Sequence, residues 1–122
     1  MFITRDVVDG LLDYCSQLHP KEGILLVRGK SSKNDININA LVIPPIPVHS
    51  SRYSSFPIHM LPFDPSILGT AHSHPSGVVR PSLEDLNHYF GRVMVIIGYP
   101  YKSEKDIGIF DREGNSAAYS VI

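Results

Sequence analysis

The side chains best placed to do chemistry in this chain are two histidines and a carboxylate. His72 and His74 end the run Ile67-Leu-Gly-Thr-Ala-His-Ser-His74, which stops at Pro75 and reads as a β-strand. Strand side chains alternate faces with period two, so both imidazoles project from the same side. Asp85 follows in the first turn of a short helix opened by Ser82. Pro75, Gly77 and Pro81 shape the corner between strand and helix, and such a corner can fold the carboxylate back over the two rings. Two imidazoles and one carboxylate with an open fourth position make the ligand set of a catalytic zinc site, whereas a structural site fills all four corners with protein groups.

Each of these residues also has an ordinary reading. A His-x-His on a strand is by itself more often solvated or hydrogen-bonded than metal-bound. Ser82-x-x-Asp85 is what a helix N-terminus looks like, Ser capping and Asp favoured by the helix dipole. Glu22, beside Lys21, reads alone as a solvated loop carboxylate. The combination favours the metal: a His-x-His, a proline-rich corner, a Ser and an Asp at fixed distance, and Glu22 just before an apolar strand. Ser73 reads equally as support for the site or as packing. His88 reads as a surface histidine, and His19, His49 and His59 have no partner pattern. Cys15 lies on an apolar helix stripe, where a buried inert thiol is expected.

The elements that must position these groups follow from periodicity. Ile3, Val7, Val8, Leu11, Leu12, Cys15 and Leu18 recur at helical spacing and predict an opening amphipathic helix, with Thr4 as N-cap and Pro20 beyond its end. Gly23–Gly29 and Ile36–Val42 predict two antiparallel strands joined by a polar turn over Lys30–Asp35. Eight of the ten prolines lie between Pro44 and Pro81, which predicts long loops there, with a short edge strand around Ile58 and Met60. Ser82–Phe90 predicts a helix with Leu83, Leu86 and Phe90 as its apolar stripe and Gly91 at its C-cap. Arg92–Tyr99 predicts a buried strand, and Asp106–Asp111 with Ser116–Val121 a closing hairpin. The resulting fold class is α+β (mixed α/β), with helices packed on a curved, mostly β core.

Composition narrows the function classes. A chain of 122 residues with 43% apolar and 19% charged residues supports one core and one domain, residues 1–122. Eleven Lys+Arg against twelve Asp+Glu, without a basic cluster, speak against nucleic acid as a partner. The single cysteine excludes an intrachain disulfide and a Cys-rich zinc site, which fits a reducing compartment. The longest apolar runs, such as Val93–Ile97, fall far short of the ~20 residues that span a bilayer, and Asp6, Asp9 and Asp13 interrupt any secretory segment. These features predict a cytoplasmic soluble protein with no membrane partner, and nothing in them indicates an oligomer.

The string His72-Ser-His-Pro-Ser-Gly-Val-Val-Arg-Pro-Ser82-Leu-Glu-Asp85 resembles the JAMM motif of MPN+ domain metalloproteases, including the compact archaeal and bacterial members. That motif is His-x-His-Pro, seven residues from the second His to a Ser, then two residues to an Asp. In that family a Glu lies upstream at the start of a strand, and Glu22 occupies that place. The resemblance implies an MPN/JAB, cytidine-deaminase-like architecture, with one Zn²⁺ held by His72, His74 and Asp85 and a water as fourth ligand. It implies Glu22 as general base and then acid, and Ser82 as hydrogen-bond donor to the developing oxyanion. It further implies an isopeptidase or protease acting at the C-terminus of a ubiquitin-like or sulfur-carrier modifier protein. Residues 44–66 are expected to form one wall of a groove for an extended modifier tail.

Two other classes compete. Two histidines and a carboxylate also make the facial triad of non-haem Fe(II) oxygenases, but those sites commonly read His-x-Asp/Glu with a distant second His. A non-catalytic MPN-like interaction module is the other, although this chain has all five motif positions filled. The zinc-deaminase pattern and His-Glu-x-x-His are both absent.

Overall fold

The computed structural model describes residues 1–44 and 64–122. Thr4 starts the first helix, its Oγ1 accepting from the Val7 N–H at 3.3 Å, and α1 runs from Arg5 to Leu18. Val7, Val8, Leu11 and Cys15 form its buried stripe. Ile3, expected as the first residue of that stripe, instead lies in a two-residue strand β1 (Phe2–Ile3), because a cap at Thr4 leaves the preceding residues extended.

Strands β2 (Ile24–Ser31) and β3 (Ile36–Val42) pair antiparallel, as their alternation predicted. The proposed edge strand at Ile58 and Met60 and most of the expected groove wall lie outside the described residues. Strand β4 (Ile67–His74) runs between β2, antiparallel to it, and β5 (Val93–Gly98), parallel to it. The register sets His72 opposite Ile24 on one side and Ile96 on the other, and His74 opposite Gly98.

The second helix, α2 (Leu83–Asn87), is shorter than the expected Ser82–Phe90 and has no apolar stripe. Leu83 is 76% exposed, and the residue it buries is Asp85. Its reason for forming is therefore the capped N-terminus rather than an amphipathic face. The closing hairpin also differs from expectation. Strand β6 (Ile107–Phe110) pairs with β5 and with the two-residue β7 (Ser116–Ala117), but β8 (Ser120–Val121) crosses to β1. The Tyr119 hydroxyl, donating to the Ile107 carbonyl at 2.8 Å, and the Arg5 N–H, donating to the Ile122 carbonyl at 2.8 Å, hold this departure.

Among the described residues the strands form one sheet in the order β7-β6-β5-β4-β2-β3-β1-β8. It is curled and mostly antiparallel, the mixed α/β class expected. Helix α1 covers one face, where its stripe packs with Leu25, Val27, Ile38, Ala71, Val95 and Ile97. The other face has a smaller cluster of Met94, Ile96 and Phe110, flanked by Val79 and Tyr89. No helix among the described residues is long and apolar enough to cross a membrane.

Candidate metal centre

The period-two alternation of β4 puts Thr70, His72 and His74 on the face away from α1, and Ala71 and Ser73 on the face toward it. His72 is buried between β2 and β5, 2% exposed. His74 ends the strand, where Gly77, with φ +85, turns the chain and donates its N–H to the His74 carbonyl at 3.0 Å. That turn leads to Ser82 and the head of α2. There Ser82 Oγ accepts from the Asp85 N–H at 3.0 Å while Asp85 Oδ2 accepts from the Ser82 N–H at 2.7 Å, a reciprocal capping box. The box fixes the buried carboxylate, and its Oδ2 lies 3.1 Å from His74 Nε2. The folding back of Asp85 over a strand histidine is thus a local consequence of one turn and one cap.

Hydrogen bonds set the ring states. His74 Nδ1 lies 2.8 Å from the Val78 carbonyl, so it carries a proton there and leaves Nε2 facing Asp85. Burial alone would lower the His74 pKa. The Asp85 hydrogen bond, the Val78 carbonyl and the charges of Asp85 and Glu22 outweigh it, and the pKa is raised. Burial acts upward on Asp85, but bonds from His74 and the Ser82 N–H, with the charges of both histidines, hold it down at about 2. Burial dominates at His72 and lowers its pKa to about 3; Asp85 raises it and His74 lowers it further. His72 is therefore a neutral imidazole at any ordinary pH, the state in which an imidazole binds metal.

Donor chemistry and spacing fit a divalent ion. Two donors sharing a tetrahedral zinc stand about 3.3 Å apart when the bonds are about 2.0–2.1 Å. His74 Nε2 and Asp85 Oδ2 stand 3.1 Å apart. The expected convergence of three donors is met by these two only. His72 Nε2 lies 2.7 Å from Thr70 Oγ1, and among the described residues no three His, Cys, Asp or Glu side chains gather as a metal-holding group. The cause is the strand itself, which sets a hydroxyl two residues before His72 on the same face.

Glu22 lies just before β2 and is half-buried. It faces a pocket of about 560 Å³ that is also lined by His74, Ser82, Asp85, Glu84 and prolines 20 and 75. Four of the five residues singled out from the sequence thus share one cavity, and His72 lies behind His74 in the strand. Ser82 is exposed at the rim; its Oγ accepts in the cap, which leaves its own proton to donate elsewhere.

Sequence reasoning missed Thr70 and left Ser73 and His19 unplaced. Thr70 was legible in principle, because it shares the His72 and His74 face by alternation. Ser73, read equally as support or packing, accepts from the Gly23 N–H at 2.6 Å. His19 stacks on Tyr99 at 4.6 Å between ring centroids, and its Nδ1 lies 3.0 Å from the Tyr101 hydroxyl; residues so distant in sequence give no local signal. His88 Nδ1 bonds the Glu84 carbonyl within its own turn, and His49 and His59 lie outside the described residues. Cys15 is buried, and burial pushes its thiol up to about 12, as befits an unreactive group.

The site is a strand-borne histidine pair meeting a capped helix carboxylate, on a curled sheet with one covering helix. Residues 4–112 match the family model for prokaryotic homologs of the JAB domain, and the chain belongs to that family. A protein of Haloferax volcanii named probable metalloprotease is 33% identical over 119 residues, spanning 92% of this chain and 73% of its own length. A JAB1/MPN domain protein from Archaeoglobus fulgidus superposes with a TM-score of 0.75 at 28% identity, over 100% of this chain and 99% of its own. A structure described as "JAMM: A Metalloprotease-like Zinc Site in the Proteasome and Signalosome" superposes with a TM-score of 0.70 at 27% identity, over 100% of this chain and 97% of its own. The JAB/MPN fold and a metalloprotease-like role are what this chain has in common with these relatives.

Proposed function

We propose that the chain is a zinc-dependent isopeptidase or protease that cleaves at the C-terminal tail of a ubiquitin-like or sulfur-carrier modifier protein in the cytoplasm. The observation that carries the hydrolytic reading is the 3.1 Å contact of His74 Nε2 with Asp85 Oδ2, at the wall of a pocket that Glu22 and Ser82 also line. His72, His74 and Asp85 would hold the ion. Zinc, when bound, supplies Lewis acidity: it lowers the pKa of water toward ~7 and polarises a scissile carbonyl. Glu22 accepts the proton of the attacking water and returns it to the leaving amine. The Ser82 hydroxyl donates to the developing oxyanion. Asp85, held by the Ser82 N–H, keeps the His74 ring turned into the pocket. The substrate class rests on the family resemblance of the motif; a flexible modifier tail is thin enough to reach such a cleft extended.

The test is hydrolysis of modifier conjugates by wild type, Glu22→Gln and Asp85→Ala, with bound metal measured for each. Glu22→Gln is expected to keep the metal and lose at least ~10²-fold in rate, the usual size of a general acid–base contribution. Asp85→Ala is expected to lose the metal. Full activity in either variant overturns the roles assigned. Zinc binding without hydrolysis of any conjugate favours a non-catalytic interaction module, and oxygen consumption by the iron-loaded chain favours an oxygenase.

A further inference from the structure

We propose that Ser73 is a positioning residue: from the face of β4 opposite the two histidines, its hydroxyl fixes the backbone that carries Glu22. The inference rests on the reading of Glu22 as proton carrier. Ser73 is buried, 1% exposed. Its Oγ accepts from the Gly23 N–H at 2.6 Å, and its own N–H donates to the Gly23 carbonyl at 3.1 Å. Two bonds therefore clamp the residue next to Glu22 onto the strand that bears both histidines.

The clamp acts just ahead of the strand ladder, beside Glu22. β2 begins only at Ile24, and the preceding Pro20 has no N–H to give. The Lys21 N–H is spent on the Leu18 carbonyl, 2.9 Å away, at the end of α1. Gly23 itself lies hard against that helix: a Cβ there would meet Leu18 Cδ1 at 2.7 Å and Tyr14 Cε1 at 3.0 Å. Any side chain at this position would press on Leu18 and Tyr14, and as glycine the residue brings its N–H to Ser73. One buried hydroxyl thus joins the histidine strand to the Glu22 turn. Removing it leaves the Gly23 N–H buried without that acceptor, and the turn moves to relieve it. A shift on the order of 1 Å is enough to cost about 10²-fold in a positioned reaction.

The test compares Ser73→Thr and Ser73→Val, which match in shape and differ in the hydroxyl, with Ser73→Ala beside them. Three quantities are read: zinc affinity against a competing chelator, hydrogen exchange of the Gly23 amide in the metal-free chain, and kcat and KM on a modifier conjugate. Ser73→Val and Ser73→Ala are expected to speed Gly23 exchange and lower kcat, each by about tenfold or more, with zinc affinity and KM within about threefold of wild type. Ser73→Thr is expected to restore slow exchange and most of kcat. Unchanged Gly23 exchange in Ser73→Val, or a loss of zinc affinity as large as the loss of kcat, overturns the proposal. Should the wild type hydrolyse no conjugate, the functional reading fails, while Gly23 exchange in the Thr and Val variants still decides whether Ser73 fixes this turn.

Discussion

Strand β4 has two faces that do opposite work. Toward α1, Ala71 joins Leu11, Val95 and Ile97 in a large apolar cluster, where each fully buried side chain contributes roughly 1.5–3 kcal/mol. Away from it, Thr70, His72 and His74 bring polar groups into an interior where such groups are unfavourable unless hydrogen-bonded. The bonds that hold these groups join residues near in sequence: Thr70 to His72, His74 to Val78, His74 to Asp85, Ser82 with Asp85. The difference teaches that one face supplies stability and the other uses it to hold reactive groups close together. Ser73 is the exception, a polar residue on the apolar face that serves the other side.

The comparison breaks if damage to the α1 face disables the site as severely as it weakens the fold. The largest expected effect concerns Cys15. Its thiol is pushed by burial from 9.0 to about 12, with the Ser73 bond pulling the other way. The folded chain keeps this proton where the unfolded chain releases it, so the stabilisation is complete below pH 9 and disappears as pH rises toward 12. The whole interval amounts to on the order of 4 kcal/mol. Chemical denaturation between about pH 9 and 11 should therefore show a steeper loss of stability in wild type than in Cys15→Ala, and parallel curves would refute the assignment.

Leu11→Ala comes next, expected to cost about 3 kcal/mol by urea denaturation, because Leu11 is fully buried and the core collapses only partly around the gap. Zinc affinity of the folded fraction should stay unchanged; a parallel fall would mean the two faces are not separable. The smallest effect belongs to the site side. Ser82→Ala removes an N-cap and should cost about 1 kcal/mol of stability. Hydrogen exchange should speed at the Asp85 amide, which donates to Ser82 Oγ, and leave the α1 amides as they were.

Much of the fold was legible where one element's own periodicity decided it. The Val7, Val8, Leu11, Cys15 spacing and the Thr4 cap appear in the structure as read, whereas the alternation of β3 does not persist past Ile38, since Leu41 rather than Val42 packs on the core. The errors fall where a local signal was weak or outweighed. Leu83 and Leu86 looked like an apolar stripe, but a helix of five residues, made by its cap, turns Asp85 inward and Leu83 outward. The last strand looked like the second arm of a hairpin, yet pairing with β1 takes Ser120 and Val121 to the far edge of the sheet. Likewise the site was half legible: spacing put His74 and Asp85 within reach, while Thr70 capturing His72 went unforeseen.

The sequence by itself determined the side chains available, their alternation on a strand and the cap that turns Asp85 back, because bond geometry and helix and strand repeats act over a few residues. Only the tertiary structure decided that Gly23, 50 residues from Ser73 in sequence, would bond it and so bring Glu22 to the histidine strand. Such contacts depend on which elements become neighbours when the whole core packs, and no local repeat encodes that choice.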